Sequence, residues 1–240
     1  MNWDNYLLEE KAPGGAIAHL GILDGTINAP FDLSALPVDA HIVSMSTPLK
    51  KFKLGYTNLS SLKGNNQIEA ISVNDIDEER LAVFATLPHL KYLQISVNSQ
   101  NEIPDLSALQ SLEVLILANI KKVENIHFIE KLKSLKTLYI YGFNNLYDLS
   151  PIAGLTGLKE LCIDHGKMSG TGKPVKSIEP LTALTQLQYL RLGVTIGEKN
   201  PDWTALHGLK KLRHLWMLPR YLKDKEKEIL KKEFPLVVNL

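Results

Sequence analysis

One glycine-rich segment has the composition of a phosphate-binding loop. It reads Gly166-Lys-Met-Ser-Gly-Thr-Gly172-Lys173-Pro174. A loop of this kind presents backbone N–H groups to phosphate oxygens, with four residues between its outer glycines and a Ser or Thr after the Lys to bind Mg²⁺. Here five residues separate Gly166 from Gly172, and Pro174 stands where the Ser or Thr belongs. The segment therefore predicts no nucleotide site.

The histidines and the cysteine do not predict a metal site either. No two of the seven His lie three or four residues apart, and the chain has no second Cys with which Cys162 could form a zinc pair. There is also no Gly-x-Ser-x-Gly elbow that would expose a nucleophilic serine. We therefore expect no metal, no cofactor and no catalysis. If the chain is an enzyme after all, Cys162, His165 and Lys173 are the groups that could react.

These residues sit within a repeat. Six segments share the pattern Leu-x-x-Leu-x-(Leu, Ile or Met), beginning at Leu90, Leu112, Leu135, Leu158, Leu187 and Leu212. Two weaker copies precede them, Leu49 to Leu54 and Ile68 to Val73. Strong copies follow one another at 22, 23, 23, 29 and 25 residues. A fixed period in this range indicates stacked structural units, each too small to close its own core.

Two apolar periods within each unit predict its structure. The Leu-x-Leu half has a period of two, which is typical of a strand with both Leu side chains on one face. The preceding apolar residues recur every third position, as in Leu149 to Leu158, which is typical of a helical or 3₁₀ turn. Stacking these units predicts a parallel sheet on one side and turns on the other. Pro151 and Pro180 fit the first positions of such turns.

The pattern resembles the leucine-rich-repeat family, in particular its 22-residue, internalin-like class, over about residues 49–217. The resemblance implies an α/β fold, a leucine-rich-repeat solenoid with a curved parallel β-sheet and helical or 3₁₀ turns on the convex side. The usual Asn after each strand is present as Asn98 but replaced by Ile120, Phe143, Gly166, Thr195 and Arg220. Cys162-Ile-Asp164 matches the Cys-x-Asp element of bacterial leucine-rich-repeat ubiquitin ligases. That element belongs to a separate helical domain, so here it is expected to be a coincidence.

The chain is expected to form one structural domain with special ends. Residues 1–48 are predicted to be an N-terminal cap with strand residues near Ile42, residues 49–218 about eight repeats, and residues 219–240 a C-terminal cap. In the last part, Leu222 to Phe234 forms an amphipathic helical stripe, and Leu236 to Val238 is predicted to be a short edge strand.

The outward positions of the strands are the predicted binding residues. Five of the aromatic residues lie there, Tyr92, Tyr139, Tyr141, Tyr189 and Trp216. Tyr, Trp and Arg are enriched at binding hot spots, although aromatic residues also favour strands for packing alone. The predicted protein-binding residues on this concave face are Tyr92, Gln94, Ile116, Tyr139, Tyr141, Asp164, Tyr189, Arg191, His214 and Trp216. Longer repeats add rim loops at 165–177 and 196–202, which either bind or are plain surface loops.

The function predicted is that of a non-enzymatic protein-protein interaction module, possible roles being a bacterial adaptor and a toxin-immunity protein. The alternative is an enzyme or enzyme component that uses the rim loops, and a third reading is a structural module without a strong partner. A net charge of +1 gives no bulk field for a nucleic-acid backbone, so the expected partner is a protein or peptide. The absence of a basic, apolar leader and of a long apolar run predicts a cytoplasmic protein without membrane contact.

Overall fold

A computed structural model describes residues 3, 6, 23–46, 54–96, 99–166, 172–197 and 203–237 of the chain. Within these ranges the strands form a single nine-stranded sheet in sequence order, with every neighbouring pair parallel. The strands are β1 (Thr26–Asn28), β2 (Ile42–Met45), β3 (Ala70–Val73), β4 (Tyr92–Ser96), β5 (Val114–Ala118), β6 (Thr137–Tyr141), β7 (Glu160–Asp164), β8 (Tyr189–Gly193) and β9 (His214–Met217).

The repeated leucines lie inward and in register across this sheet, as the pattern predicts. Leu93 pairs with Leu115, and the row continues through the later strands. All members of the row are at most 1% exposed: Leu93, Leu115, Leu138, Leu161, Leu190 and Leu215. A second inward row runs two residues later along each strand, and both belong to one continuous apolar core. The leucine-rich-repeat prediction of the fold is confirmed.

Short turns on the other side of the core connect the strands. Most are 3₁₀ helices: Leu33–Ala35, Leu59–Leu62, Leu106–Ala108, His127–Ile129, Ser150–Gly154, Glu179–Ala183, Trp203–Leu206 and Pro219–Tyr221. Proline stands in the first turn of the Ser150 and Glu179 helices, as predicted. The connection after β3 is instead an α-helix, α1 (Glu78–Phe84), whose Asp77 side chain accepts a hydrogen bond from the Arg80 N–H at 2.8 Å. This carboxylate satisfies a backbone donor that the helix start leaves open.

Apolar side chains replace the usual asparagines after two of the strands. Ile120 and Phe143 are each 1% exposed and belong to the main core, so these turns are held by packing rather than by a polar ladder. Asn98 lies outside the described residues. Asn119 and Gly142, directly after β5 and β6, both have positive φ angles, 55° and 68°. These are the two residue types that adopt this backbone shape most readily.

The two ends differ in part from the prediction. The sheet already begins at β1, inside the segment assigned to the N-terminal cap, and β2 pairs directly with β3. The weak copy from Leu49 to Leu54 therefore contributes no strand between them; residues 49–53 lie outside the described residues. The C-terminal helix is present as α2 (Asp224–Glu233). Pro235 and Leu236 form a turn and Val237 lies outside any strand, whereas Val238, the last residue of the predicted edge strand, lies outside the described residues.

Candidate functional site

The outward side chains of the sheet form three rows across the strands, and we call this surface the concave face. The first row is Ile42, Ala70, Tyr92, Val114, Thr137, Glu160, Tyr189 and His214. The middle row is Ser44, Ser72, Gln94, Ile116, Tyr139, Cys162, Arg191 and Trp216. The third row is Ser96, Ala118, Tyr141, Asp164 and Gly193. All ten predicted binding residues therefore lie on one surface, because the repeat fixes which way each side chain points.

Most of this face is buried, which corrects the expectation of an exposed aromatic surface. Six of the ten predicted residues are buried: Tyr92, Gln94, Ile116, Tyr139, Asp164 and Tyr189. With Ala70, Val114, Ala118 and Cys162, the apolar ones form a second hydrophobic cluster, separate from the main core. Tyr141, Arg191, His214 and Trp216 remain partly exposed. The accessible members of the predicted set therefore lie on β6, β8 and β9, and the outward serines of β2 to β4, Ser44, Ser72 and Ser96, are also partly exposed.

Two aromatic residues from the start of the chain belong to this second cluster. Trp3 and Tyr6 are 5% and 3% exposed, and their rings lie 5.2 Å and 5.7 Å from the ring of Tyr92. The two rings are 6.0 Å from each other. The hydroxyl of Tyr92 donates a hydrogen bond to Gln94 Oε1 at 2.7 Å, so this polar group is satisfied within the cluster. Trp3 and Tyr6 were not among the predicted binding residues; the signal for them in the sequence was an aromatic pair three residues apart.

The tyrosines of the buried part are held as neutral hydroxyls. Burial raises the pKa of Tyr92, Tyr139 and Tyr189, because the phenolate would lose its hydration. Tyr139 stacks on Tyr141 with ring centroids 6.2 Å apart and an interplanar angle of 16°. These side chains can therefore supply apolar contact area and hydrogen bonds, but they cannot act as bases near neutral pH.

An ion pair stacked on an indole lies at the partly exposed end. Asp164 Oδ2 accepts hydrogen bonds from Arg191 Nε at 2.9 Å and from Arg191 Nη2 at 2.8 Å. The same guanidinium lies over the ring of Trp216, with Cζ 3.8 Å from the centroid. The carboxyl group of Asp164 occupies the space that a Cβ at residue 193 would need, so only glycine fits there. A cation over an aromatic face and bound to a carboxylate has a fixed position.

His214, on β9, packs near a buried tyrosine. Its ring centroid is 6.0 Å from that of Tyr189. The pKa of His214 is lowered, mainly by burial and further by the positive charge of Arg213. Its Nδ1 atom is buried without a hydrogen-bond partner among the residues described by the structure. The neutral ring is therefore the favoured form at this end of the face.

Cys162 is fully buried in the second cluster, which corrects the expectation of a side chain projecting freely from the sheet. Burial raises the pKa of the Cys162 thiol, which opposes formation of the reactive thiolate. In the neighbouring row, Thr137 Oγ1 donates a hydrogen bond of 2.6 Å to Glu160 Oε2, and both residues are 0% exposed. Both residues occupy outward strand positions, but neither was among the predicted binding residues.

The first rim loop is tied to its neighbours where the structure describes it. The Lys173 N–H donates to the Asn144 carbonyl at 2.8 Å, and the Val175 N–H donates to the Thr195 carbonyl at 2.9 Å. The ammonium of Lys173 lies 4.6 Å from the ring centroid of Tyr147. Residues 167–171, the centre of the glycine-rich segment, and residues 198–202 of the second rim loop lie outside the described residues. The described part of the first rim loop is therefore held by backbone hydrogen bonds to neighbouring segments.

The three groups of the enzyme alternative make different contacts. Cys162 lies in the apolar cluster of the concave face, and Lys173 covers the ring of Tyr147. His165 is 2% exposed, and its ring fills the space that a Cβ at Gly172 would need. Among the described residues, no group of three or more His, Cys, Asp or Glu side chains could hold a metal ion. Nor does any described helix have the length and apolar character required to cross a membrane.

The comparisons with known proteins concern the fold. An internalin, InlF, from Listeria monocytogenes str. 4b F2365 matches with a TM-score of 0.56 and 23% identity, over 80% of this chain and 53% of that one. Internalin C2 from the same strain matches with a TM-score of 0.55 and 21% identity, over 78% of both chains. TLR13 in complex with ssRNA13 matches with a TM-score of 0.53 and 16% identity, over 75% of this chain and 25% of that one.

This chain thus spans about half the length of the InlF structure. No protein-family model matches the sequence, and no curated protein matches it. The expectation that nucleic acid is excluded as a partner has no support from these structures, since one of them contains an RNA. Taken with the repeat and the nine-stranded sheet, the structural matches show that the chain is a leucine-rich-repeat solenoid whose fold resembles that of the internalins.

Proposed function

We propose that this chain is a non-enzymatic interaction module that captures a protein or peptide on its concave face, at the end formed by β8 and β9. The observation that supports this proposal is the arrangement of Arg191, which is bound to Asp164 and stacked on a partly exposed Trp216. An aromatic side chain and an arginine in fixed positions offer contact area and directed hydrogen bonding at little entropic cost. Tyr141 and His214, also partly exposed, widen this surface.

The charges of the face favour a protein over a nucleic acid. A nucleic-acid backbone requires several cations that neutralise phosphates. Among the described residues of the three rows, Arg191 is the only Lys or Arg, and it is already bound to a carboxylate. TLR13 shows that an RNA can bind a protein of this fold, so RNA binding is an outcome that the experiment below must detect.

Absence of catalysis is part of the proposal. The alternative is an enzyme or enzyme component that uses the rim loops 165–177 and 196–202. It is disfavoured by the burial of the Cys162 thiol and by the position of the Lys173 ammonium over the Tyr147 ring. A measurable activity lost on Cys162→Ser, with the fold intact, would favour the alternative.

The cellular role that we propose is that of a cytoplasmic bacterial protein, either an adaptor or an immunity protein that neutralises a toxin. The internalin-like repeat supports the bacterial assignment. The neighbouring genes separate the two roles, because the gene of an immunity protein lies beside that of its toxin.

The test is capture of a partner from a cell lysate, with and without nuclease, followed by affinity measurements on the identified partner. Trp216→Ala is expected to weaken binding by at least about 2 kcal/mol. Tyr139 is 1% exposed, so the expectation for this residue is corrected: Tyr139→Ala should lower stability rather than remove a direct contact with the partner. Lys225→Ala and Lys231→Ala on α2 are the controls, with changes under about 0.5 kcal/mol. Binding that depends on the lysines and not on Trp216 would move the site to α2. Loss of capture after nuclease treatment would indicate a nucleic-acid partner.

A further inference from the structure

We infer that Trp3 and Tyr6 are an internal substitute for the partner: the concave face recognises a segment that presents a Trp and a Tyr three residues apart, and this segment displaces the chain's own pair. The inference rests on the proposed function and specifies the partner's chemistry. It also extends the binding surface from β8 and β9 back to Tyr92 on β4.

The position of the pair is the first observation that supports it. Both rings lie on Tyr92, a first-row residue of the concave face, and not on the main core. The tilted and edge-on ring geometries, 34° and 66°, are those that aromatic pairs prefer. Trp3 and Tyr6 are thus seated where an external segment would bind, with the contacts such a segment would make.

The second observation is an unsatisfied donor within this contact. Trp3 is only 5% exposed, and its Nε1 atom has no hydrogen-bond partner among the described residues. A buried N–H without an acceptor opposes the seating of Trp3 on the concave face, because the group loses its hydrogen bond to water and gains no other. An external segment that brings its own acceptor, or that leaves the indole N–H in water, would bind better than the internal pair.

The side chains that line the second cluster explain why the partner segment should be aromatic. From Ala70 to Tyr189 the cluster is lined by apolar and tyrosine side chains, whose hydroxyls are held neutral. Such a surface favours flat apolar rings with one polar edge and disfavours charged side chains. The partner segment should therefore be aromatic, with the spacing of Trp3 and Tyr6.

The test uses the full chain and an eight-residue peptide, MNWDNYLL, which copies residues 1–8. Calorimetry compares the wild type with the double variant Trp3→Ala/Tyr6→Ala. The control peptide carries Ala in place of both aromatic residues. We expect the double variant to bind the aromatic peptide and the wild type to bind it at least about tenfold more weakly, because a tethered segment competes at high effective concentration. The control peptide should bind neither protein.

Two results would overturn the inference. One is equal binding of the peptide to wild type and variant, or binding to neither. The other is a double variant that no longer unfolds cooperatively, since Trp3 and Tyr6 would then be a required part of the core. Failure of the proposed function has a different signature: the peptide would displace the internal pair, but the affinity of the partner from the lysate would not change on substitution of any concave residue.

A measurement on the wild-type sequence avoids dependence on the folding of the variant. Protein labelled with 5-fluorotryptophan gives separate ¹⁹F signals for Trp3, Trp203 and Trp216, and Trp3→Phe assigns the first. Saturating unlabelled peptide should move the Trp3 signal towards its position in the unfolded chain, while that of Trp203, which packs on Tyr221, stays in place. An unchanged Trp3 signal would mean that the pair is not displaced.

Discussion

The guanidinium of Arg191 lies 3.8 Å from the ring centroid of Trp216 and at the same time donates two hydrogen bonds to Asp164. Asp164 is on β7, Arg191 on β8 and Trp216 on β9, so the interaction joins three consecutive repeats. The sheet register brings Cys162, Arg191 and Trp216 into one row, and Asp164 lies in the next row. This side-chain bridge links the buried part of the concave face to its exposed end.

Asp164→Ala is expected to destabilise the protein by about 3 to 5 kcal/mol, because it leaves a largely buried arginine without its carboxylate. It also removes the acceptor of the Gly166 N–H, which is 2.7 Å from Asp164 Oδ1. Urea unfolding gives the measurement. The control is Lys131→Ala, which breaks an ion pair with Asp105 whose side chains are 59% and 52% exposed. The control should cost at most about 1 kcal/mol. Similar losses in both variants would show that Asp164 is not specially buried.

Leu161→Ala is expected to cost about 2 to 5 kcal/mol through lost burial and the cavity left behind. Leu161 is 0% exposed and pairs with Leu138 on one side and Leu190 on the other. Val38→Ala serves as the control, since Val38 is 87% exposed. Its free energy of unfolding should match that of the wild type within about 0.5 kcal/mol. A Leu161→Ala variant with the free energy of unfolding of the wild type would contradict the packing of the central repeat.

Cys162→Ser is expected to destabilise the fold by about 1 to 3 kcal/mol, because the hydroxyl enters an apolar cluster without a partner provided for it. Cys162→Ala keeps the site apolar and should cost less. Thermal or urea unfolding compares the two variants. In the wild type the thiol should react with a thiol reagent only after denaturation, since it is buried and its pKa is raised. Rapid reaction of the thiol in the native state would mean that the second cluster opens and exposes Cys162 to solvent.

The stability should fall as the solution becomes mildly acidic, in part because of His214. Its pKa in the folded chain lies below the ordinary value of 6.5, so the unfolded chain takes up the proton first. The contribution of neutral His214 to the free energy of unfolding is therefore complete above about pH 6.5, and it is lost as the pH falls through the lower pKa of the folded chain. Urea unfolding at pH 8 and pH 5 should show a smaller loss for His214→Gln, which has no imidazole to protonate. Equal losses in variant and wild type would assign the pH dependence to other groups.

Much of the fold could be predicted because the repeat is local. The period of two in each Leu-x-Leu decides which side chains face the core, and the period of about 22 residues decides which strands are neighbours. The outward rows, and with them the ten predicted binding residues, follow from the same alternation. The copy at Leu49 to Leu54 supplies no strand between β2 and β3, because those two strands pair directly.

The sequence by itself thus determined the parallel sheet, the inward leucines and the membership of the concave face. Only the tertiary structure decided how much of that face is accessible. Trp3 and Tyr6 contact Tyr92 from more than 80 residues away in the chain, and no short-range pattern encodes such a contact. The alternation of a strand fixes the direction of a side chain, whereas its burial depends on what packs above it. Arg191, Asp164 and Trp216 were each predicted separately. Their contacts with one another depend on how three strands pack side by side, so only the structure shows that they form one bridge.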